Sequence, residues 1–314
     1  MFRLRLVPDN TRIPFMGYRR WTLPISAILS VLAIVLFITP GPNFGIDFLG
    51  GTIVEVATKD GSDADLASIR STLSGLQLGD VQVQTFGTPN DVLIRIGQQE
   101  GGEAAQLAAV DKVRAALGGT LEERRVETVG PRVSGELAWN GGLALVVTLA
   151  AIMVYVWFRF EWQFAVGAII ATLHDVIITL GFFVVTGLEF NLSSLAAILT
   201  IVGYSLNDTV VVYDRIRETL RKYKKLPLSE LIDAAINDTL ARTTTTGFTT
   251  ILALGALYVF GGEVIRSFTA AMIFGVVIGT WSSIFIAAPI LIYFGLRQDA
   301  LKGDKAEAAE KKGA

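Results

Sequence analysis

Six stretches of the chain are apolar for long enough to cross a bilayer, which takes roughly 20 mostly apolar residues. They are Trp21–Pro40, Leu137–Phe158, Phe164–Thr186, Leu192–Val212, Thr243–Phe260 and Phe268–Leu296. The last is long enough to be tilted or partly interfacial, and Pro289 is placed to bend it near one end. Between the first two runs the period changes. Thr52–Thr58, Val81–Phe86, Asp91–Ile96 and Leu121–Val129 read as strands, with a turn at Gly87-Thr88-Pro89-Asn90. Ser62, with Asp65 three residues on, predicts a capped helix with Leu66, Ile69 and Leu73 on its buried stripe. Leu107, Val110, Val113 and Leu117 line a second helix that stops at Gly118-Gly119. The order βαββαβ is that of a split ferredoxin-like unit.

The predicted fold class is an α-helical integral membrane protein with six transmembrane helices and a small α+β (βαββαβ, ferredoxin-like) domain between the first and second. The predicted plan is a cytoplasmic N-terminus (1–20), a first span (21–40), the ferredoxin-like domain (41–135), a five-helix block (137–296) with a cytoplasmic loop (213–242), and a disordered tail (297–314) rich in Lys, Glu, Ala and Gly.

Composition narrows the function. Of 314 residues 52% are hydrophobic and only 18% charged, against about 25% charged in soluble domains. The net charge of −2 points to no nucleic-acid partner. Without cysteine there are no disulfides, thiolate metal sites or cysteine nucleophiles. A single histidine, His174, excludes a site of several imidazoles. No catalytic triad or nucleotide motif is present, so no enzyme and no cofactor is expected. The basic segment before the first run has the order of a signal peptide, but the run is too long and no small-residue cleavage site follows it, so a retained span is expected.

Basic residues set the orientation. With the N-terminus inside, the cytoplasmic side receives Arg3, Arg5, Arg12, Arg19, Arg20, Arg159, the cluster from Arg215 to Lys225, and a basic tail, while the short loops opposite hold only Arg266. Both ends are then cytoplasmic. The domain, with 13 acids and 8 bases over 41–135, lies outside, which is the periplasm in a Gram-negative cell. The basic cluster is mainly topogenic, with contact to anionic membrane lipid secondary.

Ionisable groups inside spans cost about 2.5–3.5 kcal/mol each on insertion scales and persist where they face helices or water. Asp208 lies in the stretch Gly203–Arg215, beside Asn207 and Thr209 and about 8 Å from the cytoplasmic end of its span. Arg242 opens the next span at similar depth, which makes an Asp208–Arg242 pair sterically reasonable. Two accounts stay open for it: a carboxylate that binds and releases a proton beside a guanidinium, and a static ion pair that only fixes packing. Asp214 and Arg215 read as interface charges. His174 and Asp175 point about 100° apart on the third span, so at least one meets a neighbouring helix or water. They are either a proton shuttle or buried packing bonds. Their depth puts a direct contact with Asp208 in doubt, so a water link is expected. Gly45, Asp47, Gly50 and Gly51 form a tight turn after the first span, since the lysine of a phosphate loop is missing. The threonine run 243–250 reads as interhelical glue, and Gly275 and Gly279 as a close helix contact.

Together Gly45-Ile46-Asp47-Phe48-Leu49-Gly50-Gly51, Leu173-His174-Asp175-Val176, Gly203–Arg217, Arg242-Thr243 and Phe260–Arg266 resemble the SecF family, within the resistance-nodulation-division superfamily. The resemblance covers about residues 15–297. It implies a heterodimer with SecD beside the SecYEG channel, often with YajC. Such a subunit uses the proton-motive force to pull unfolded secretory polypeptide across the inner membrane after SecA has pushed it. It implies that Asp208 and Arg242 match the family's intramembrane pair, and that His174 and Asp175 match residues of less settled role. Two alternatives remain: a scaffold subunit without its own proton path, and half of a small-molecule or lipid exporter of the same superfamily.

Overall fold

In a computed structural model of the chain, which describes residues 7, 8 and 11–296, a helical bundle carries a small α+β domain at one end. The expected tail, 297–314, falls outside the described residues, as does most of the start of the chain. Six helical stretches are long and apolar enough to span a membrane. They are α1 (Arg19–Ile38), α5 (Pro131–Arg159), α6 (Trp162–Thr186), α7 (Leu192–Lys222), α8 (Leu228–Phe260) and a last one made of three pieces. Those pieces are α9 (Arg266–Ser282), a widened π-turn (Ser283–Ala287) and α10 (Ala288–Tyr293). The α-helical pattern of this span is interrupted at the π-turn, just ahead of Pro289. Tyr213 of α7, fully buried, donates its hydroxyl to the Ala287 carbonyl at 3.0 Å and so satisfies main chain at this irregular turn.

Between α1 and α5 run β1 (Asn43–Phe44), α2 (Ile46–Leu49), β2 (Gly51–Thr58), α3 (Leu66–Ser74), β3 (Val81–Phe86), β4 (Thr88–Ile96), α4 (Gly102–Leu117) and β5 (Leu121–Val129). The four longer strands form one antiparallel sheet in the order β3-β4-β2-β5, the ferredoxin-like arrangement. Val54, Val56, Val92, Ile94 and Ile96 of the sheet meet Ile69, Leu73, Val113 and Leu117 of the two helices in a separate core.

Local details differ from the expectations. The helix expected to be capped by Ser62 starts later and is capped by Asp65. The Asp65 Oδ1 accepts from the amides of Ala67 and Ser68 at 3.0 and 3.1 Å, while Ser62 is taken up by Asp60. The turn before β4 closes on Gly87 alone, at φ +80°, so Thr88-Pro89-Asn90 already belong to the strand. Leu107 is 55% exposed. Gln106 takes the buried position and donates to Thr52 Oγ1 at 3.0 Å.

The largest correction concerns 213–242, expected as a loop. The two helices instead project as a pair: α7 runs on to Lys222, α8 starts at Leu228, and only 223–227 turns the chain. An apolar stripe explains it. Val212, Tyr213 and Ile216 pack on Leu231, Ile232, Ala235 and Ile236, and Arg215 bridges Asp238 at 2.6 Å. The segment before α1 docks on this pair, with Met16 N donating to Asp233 Oδ1 at 2.8 Å and Ile13 N to Asn237 Oδ1 at 2.9 Å. Asp214 pairs with Arg159 at 3.3 Å, an exposed surface contact.

Candidate functional site

The polar centre of the bundle forms where α7 and α9 pack most closely. Glycine makes that approach possible. A Cβ at Gly279 would sit 2.9 Å from Ser205 Cβ, and one at Gly275 would fall on the Ile201 side chain. The two glycines lie one turn apart and let α9 settle on α7.

Asp208, on α7, accepts two hydroxyl hydrogen bonds. Thr243 of α8 donates to Oδ1 at 2.5 Å, and Ser283 of the π-turn donates to Oδ2 at 2.6 Å. Arg242 does not form the expected ion pair. Among the described residues it acts on Asp208 only as a charge through space, and it lies on the exposed side of α8. Thr243 is its neighbour, and adjacent helical side chains point about 100° apart. Turning the threonine onto the carboxylate turns the arginine aside. Asn207 is exposed and Thr209 buried, and neither fills an acceptor position on Asp208.

One turn before Asp208, Ser205 faces α6. It donates to Asp175 Oδ2 at 2.5 Å, and Ser282 donates to the same oxygen at 2.7 Å. The His174 ring approaches the other oxygen, Nδ1 to Oδ1 3.0 Å. Asp175 is wholly buried. The edge of His174 reaches an apolar groove of about 420 Å³ between α1, α6 and α10, where Ser26 and Ser30 are the other polar groups. Between the two carboxylates lies a short stretch of protein. The adjacent residues Ser282 and Ser283 bind Asp175 and Asp208 respectively. Sequence reasoning missed these serines and Ser205. The signal was present, as a Ser-Ser pair inside an apolar run and a serine three residues before an intramembrane aspartate. Of the threonine run, Thr243 reaches another helix's carboxylate, whereas Thr249 returns its hydroxyl to the carbonyls of Thr245 and Thr246.

The glycine motif after the first span is more than a turn. β1 pairs in parallel with β6 (Glu189–Phe190), the strand that leads into α7. Asp47 Oδ2 accepts the amide of Leu192, the first residue of α7, at 2.9 Å, which also suits the helix dipole. Asn191 completes the cap with Ser194. Gly50 and Gly51 have φ of +72° and +117°, and a Cβ on Gly51 would collide with the Ile96 carbonyl. The junction between α1 and the domain is therefore fastened to the start of the helix that carries Ser205 and Asp208.

A polar cavity of about 290 Å³ separates the sheet from this end of the bundle, with Asp47, Glu127 and Glu189 on its walls. Burial pushes the Glu189 carboxyl up. The Arg95 charge opposes this, and the Asp47 and Glu127 carboxylates add to it. A buried acid with a raised folded-state value binds its proton more tightly when folded. Stability therefore falls as pH rises from its unfolded value to its folded one. Glu189→Gln should raise the melting temperature of the purified protein by a few degrees at neutral pH. The gain should fade in acid, where the native glutamic acid is already neutral; an equal gain at both pH values would contradict the assignment.

Comparison with known proteins agrees with this architecture. Residues 109–297 match the family described as protein export membrane protein SecD/SecF, C-terminal, and residues 35–61 match the SecD/SecF GG motif. The chain is 42% identical to the protein translocase subunit SecF of Rhodobacter capsulatus, over 100% of this chain and 98% of that one. It is 45% identical to the SecF of Rickettsia felis, over 95% and 97%. It is 48% identical to the protein translocase subunit SecDF of Brucella abortus over 98% of this chain, but spans only 40% of that longer protein. The crystal structure of SecDF from Thermus thermophilus, a translocon-associated membrane protein, superposes with a TM-score of 0.82 at 33% identity, covering 94% of this chain and 40% of that one. With six apolar helices, a ferredoxin-like insert and the two sequence motifs in place, the chain belongs to the SecF family of protein-export translocase subunits.

Proposed function

We propose that this subunit, paired with SecD, lets protons descend through its bundle and spends the energy on outward movement of secretory polypeptide emerging from SecYEG. One observation carries the proposal. Asp208 sits at the meeting of three helices, held by neutral hydroxyls, with the Arg242 charge nearby but unbonded. A carboxylate locked in a buried ion pair resists protonation; one held by hydroxyls accepts a proton without breaking a charge pair. Asp47 then offers a mechanical route, because a shift of α7 pulls on the junction between α1 and the domain.

The asymmetry of basic residues supports a multi-pass inner-membrane protein with both ends in the cytoplasm and the domain in the periplasm. Arg242 and Asn207 are exposed on the α7–α8 face. Such groups are expensive against lipid, so the SecD subunit covers them. SecA acts earlier by pushing the chain, and YajC is an accessory.

The test uses inverted membrane vesicles carrying a precursor stalled after initiation, with ATP removed and a proton gradient imposed. Wild-type vesicles should complete translocation. Arg242→Ala vesicles should not, with SecD still co-purifying. Completion at the wild-type rate in Arg242→Ala would refute the proposal, and loss of SecD from that variant would favour a scaffold role.

A further inference from the structure

Each of the adjacent serines has one proton and two acceptors within reach. Ser283 Oγ is 2.6 Å from Asp208 Oδ2 and 3.0 Å from the Thr280 carbonyl. Ser282 Oγ is 2.7 Å from Asp175 Oδ2 and 3.1 Å from the Gly279 carbonyl. A charge-assisted bond is about twice as strong as a neutral one. An ionised carboxylate therefore holds its serine proton. When the carboxyl gains a proton from outside, its own O–H turns toward the serine oxygen and the serine proton swings to the carbonyl. No serine bond to hydrogen is broken in this exchange; one proton is added at the carboxyl and one hydroxyl rotates.

The two rotations are not independent. The Gly279 carbonyl also accepts the amide of Ser283, the bond that closes α9 onto the π-turn. When Asp175 is protonated, Ser282 competes for that carbonyl. This loosens the turn that holds Ser283 against Asp208. We infer that Ser282 and Ser283 couple the protonation of Asp175 to that of Asp208, so that a proton on either carboxylate favours a proton on the other. Direct repulsion between the two carboxylates also favours neutralising one of them, but once one is neutral it no longer helps the second. Cooperative uptake thus belongs to the serines. Ser282 and Ser283 are positioning residues here. The other titratable groups facing the pair are His174 at Asp175, and Tyr204 and Arg242 at Asp208.

The inference rests on the proton-carrying role of Asp208, and the two are separable by infrared titration of the full chain purified with its SecD partner. The carboxyl stretch of each residue is identified by its disappearance in Asp175→Asn or Asp208→Asn. In the wild type the two bands should titrate together in one steep transition. In Ser282→Ala/Ser283→Ala they should separate by about tenfold or more in proton concentration, one pKa unit or more, because nothing then merges the two titrations. Ser282→Thr/Ser283→Thr keeps both hydroxyls and should restore the joint transition, which a purely structural role would not require. Two independent transitions in the wild type, or a joint transition that survives loss of both hydroxyls, would overturn the coupling while leaving the carrier role of Asp208 intact. An Asp208 band that never titrates would remove both.

Discussion

Replacing Asp208 with asparagine should abolish the gradient-driven part of export while leaving the subunit folded and bound to SecD. Asparagine keeps the size of the carboxyl and still offers an oxygen to Thr243, which now donates at 2.5 Å. Its amide meets Ser283, whose proton has the Thr280 carbonyl at 3.0 Å as a second acceptor. The hydrogen bonds therefore rearrange without leaving a buried group orphaned. What is lost is the titratable proton. One proton crossing 100 mV releases about 2.3 kcal/mol, and 1.4 kcal/mol is a factor of ten, so completion of a stalled precursor should slow by up to about fifty-fold. The rate of gradient-driven completion, with the amount of SecD recovered in mild detergent, checks this. A folded Asp208→Asn subunit without SecD would show that the aspartate serves assembly.

The second large effect is structural. Gly275→Ala should destabilise the bundle, because the added methyl lands on Ile201, with Cγ2 at 2.8 Å and Cγ1 and Cδ1 closer still. Ile201 is buried and β-branched, with little rotamer freedom on a helix. Relief must come from α7 moving off α9. Overpacking of this kind costs about 1–3 kcal/mol. That movement pulls Ser205 and Asp208 away from Ser282 and Ser283 together, so the variant should lose thermal stability and gradient-driven export in parallel. Ile201→Ala opens a cavity where the new methyl sits. The double variant should therefore be more stable than the sum of the two single losses implies, by about 1 kcal/mol or more. Strict additivity in thermal melts would show that the glycine is not there to admit Ile201.

The long apolar runs were readable in the sequence because a bilayer leaves few ways to satisfy a main chain. The βαββαβ order was readable because strand and helix periods differ sharply over 52–129. The projecting ends of α7 and α8 were not. Hydropathy falls where charge rises, yet the helices go on, held by Tyr213 and Ile216 against Leu231 and Ile232 and by Arg215 against Asp238. A window tuned to lipid sees the membrane end there, not the helix. Asp208, Asp175 and His174 stood out because charge inside an apolar run is conspicuous. Their partners did not, since a serine or threonine hydroxyl in a span often turns back to its own helix, as Thr249 does. Which hydroxyl turns outward depends on the glycine contacts and on the π-turn, neither of which has a period to read. The expected Asp208–Arg242 bond failed for a related reason. Opposite charges at similar depth suggest a pair, but the rotation of α8 gives the place to Thr243.

Asp208 is expected to carry protons during export. Proton movement across the membrane of reconstituted vesicles, followed with a pH dye trapped in the lumen while a precursor is being translocated, tests it most directly. Wild-type complexes should show proton flow that starts with the precursor and stops when translocation ends, and Asp208→Asn complexes should show none. Equal precursor-dependent flow in both would contradict the account.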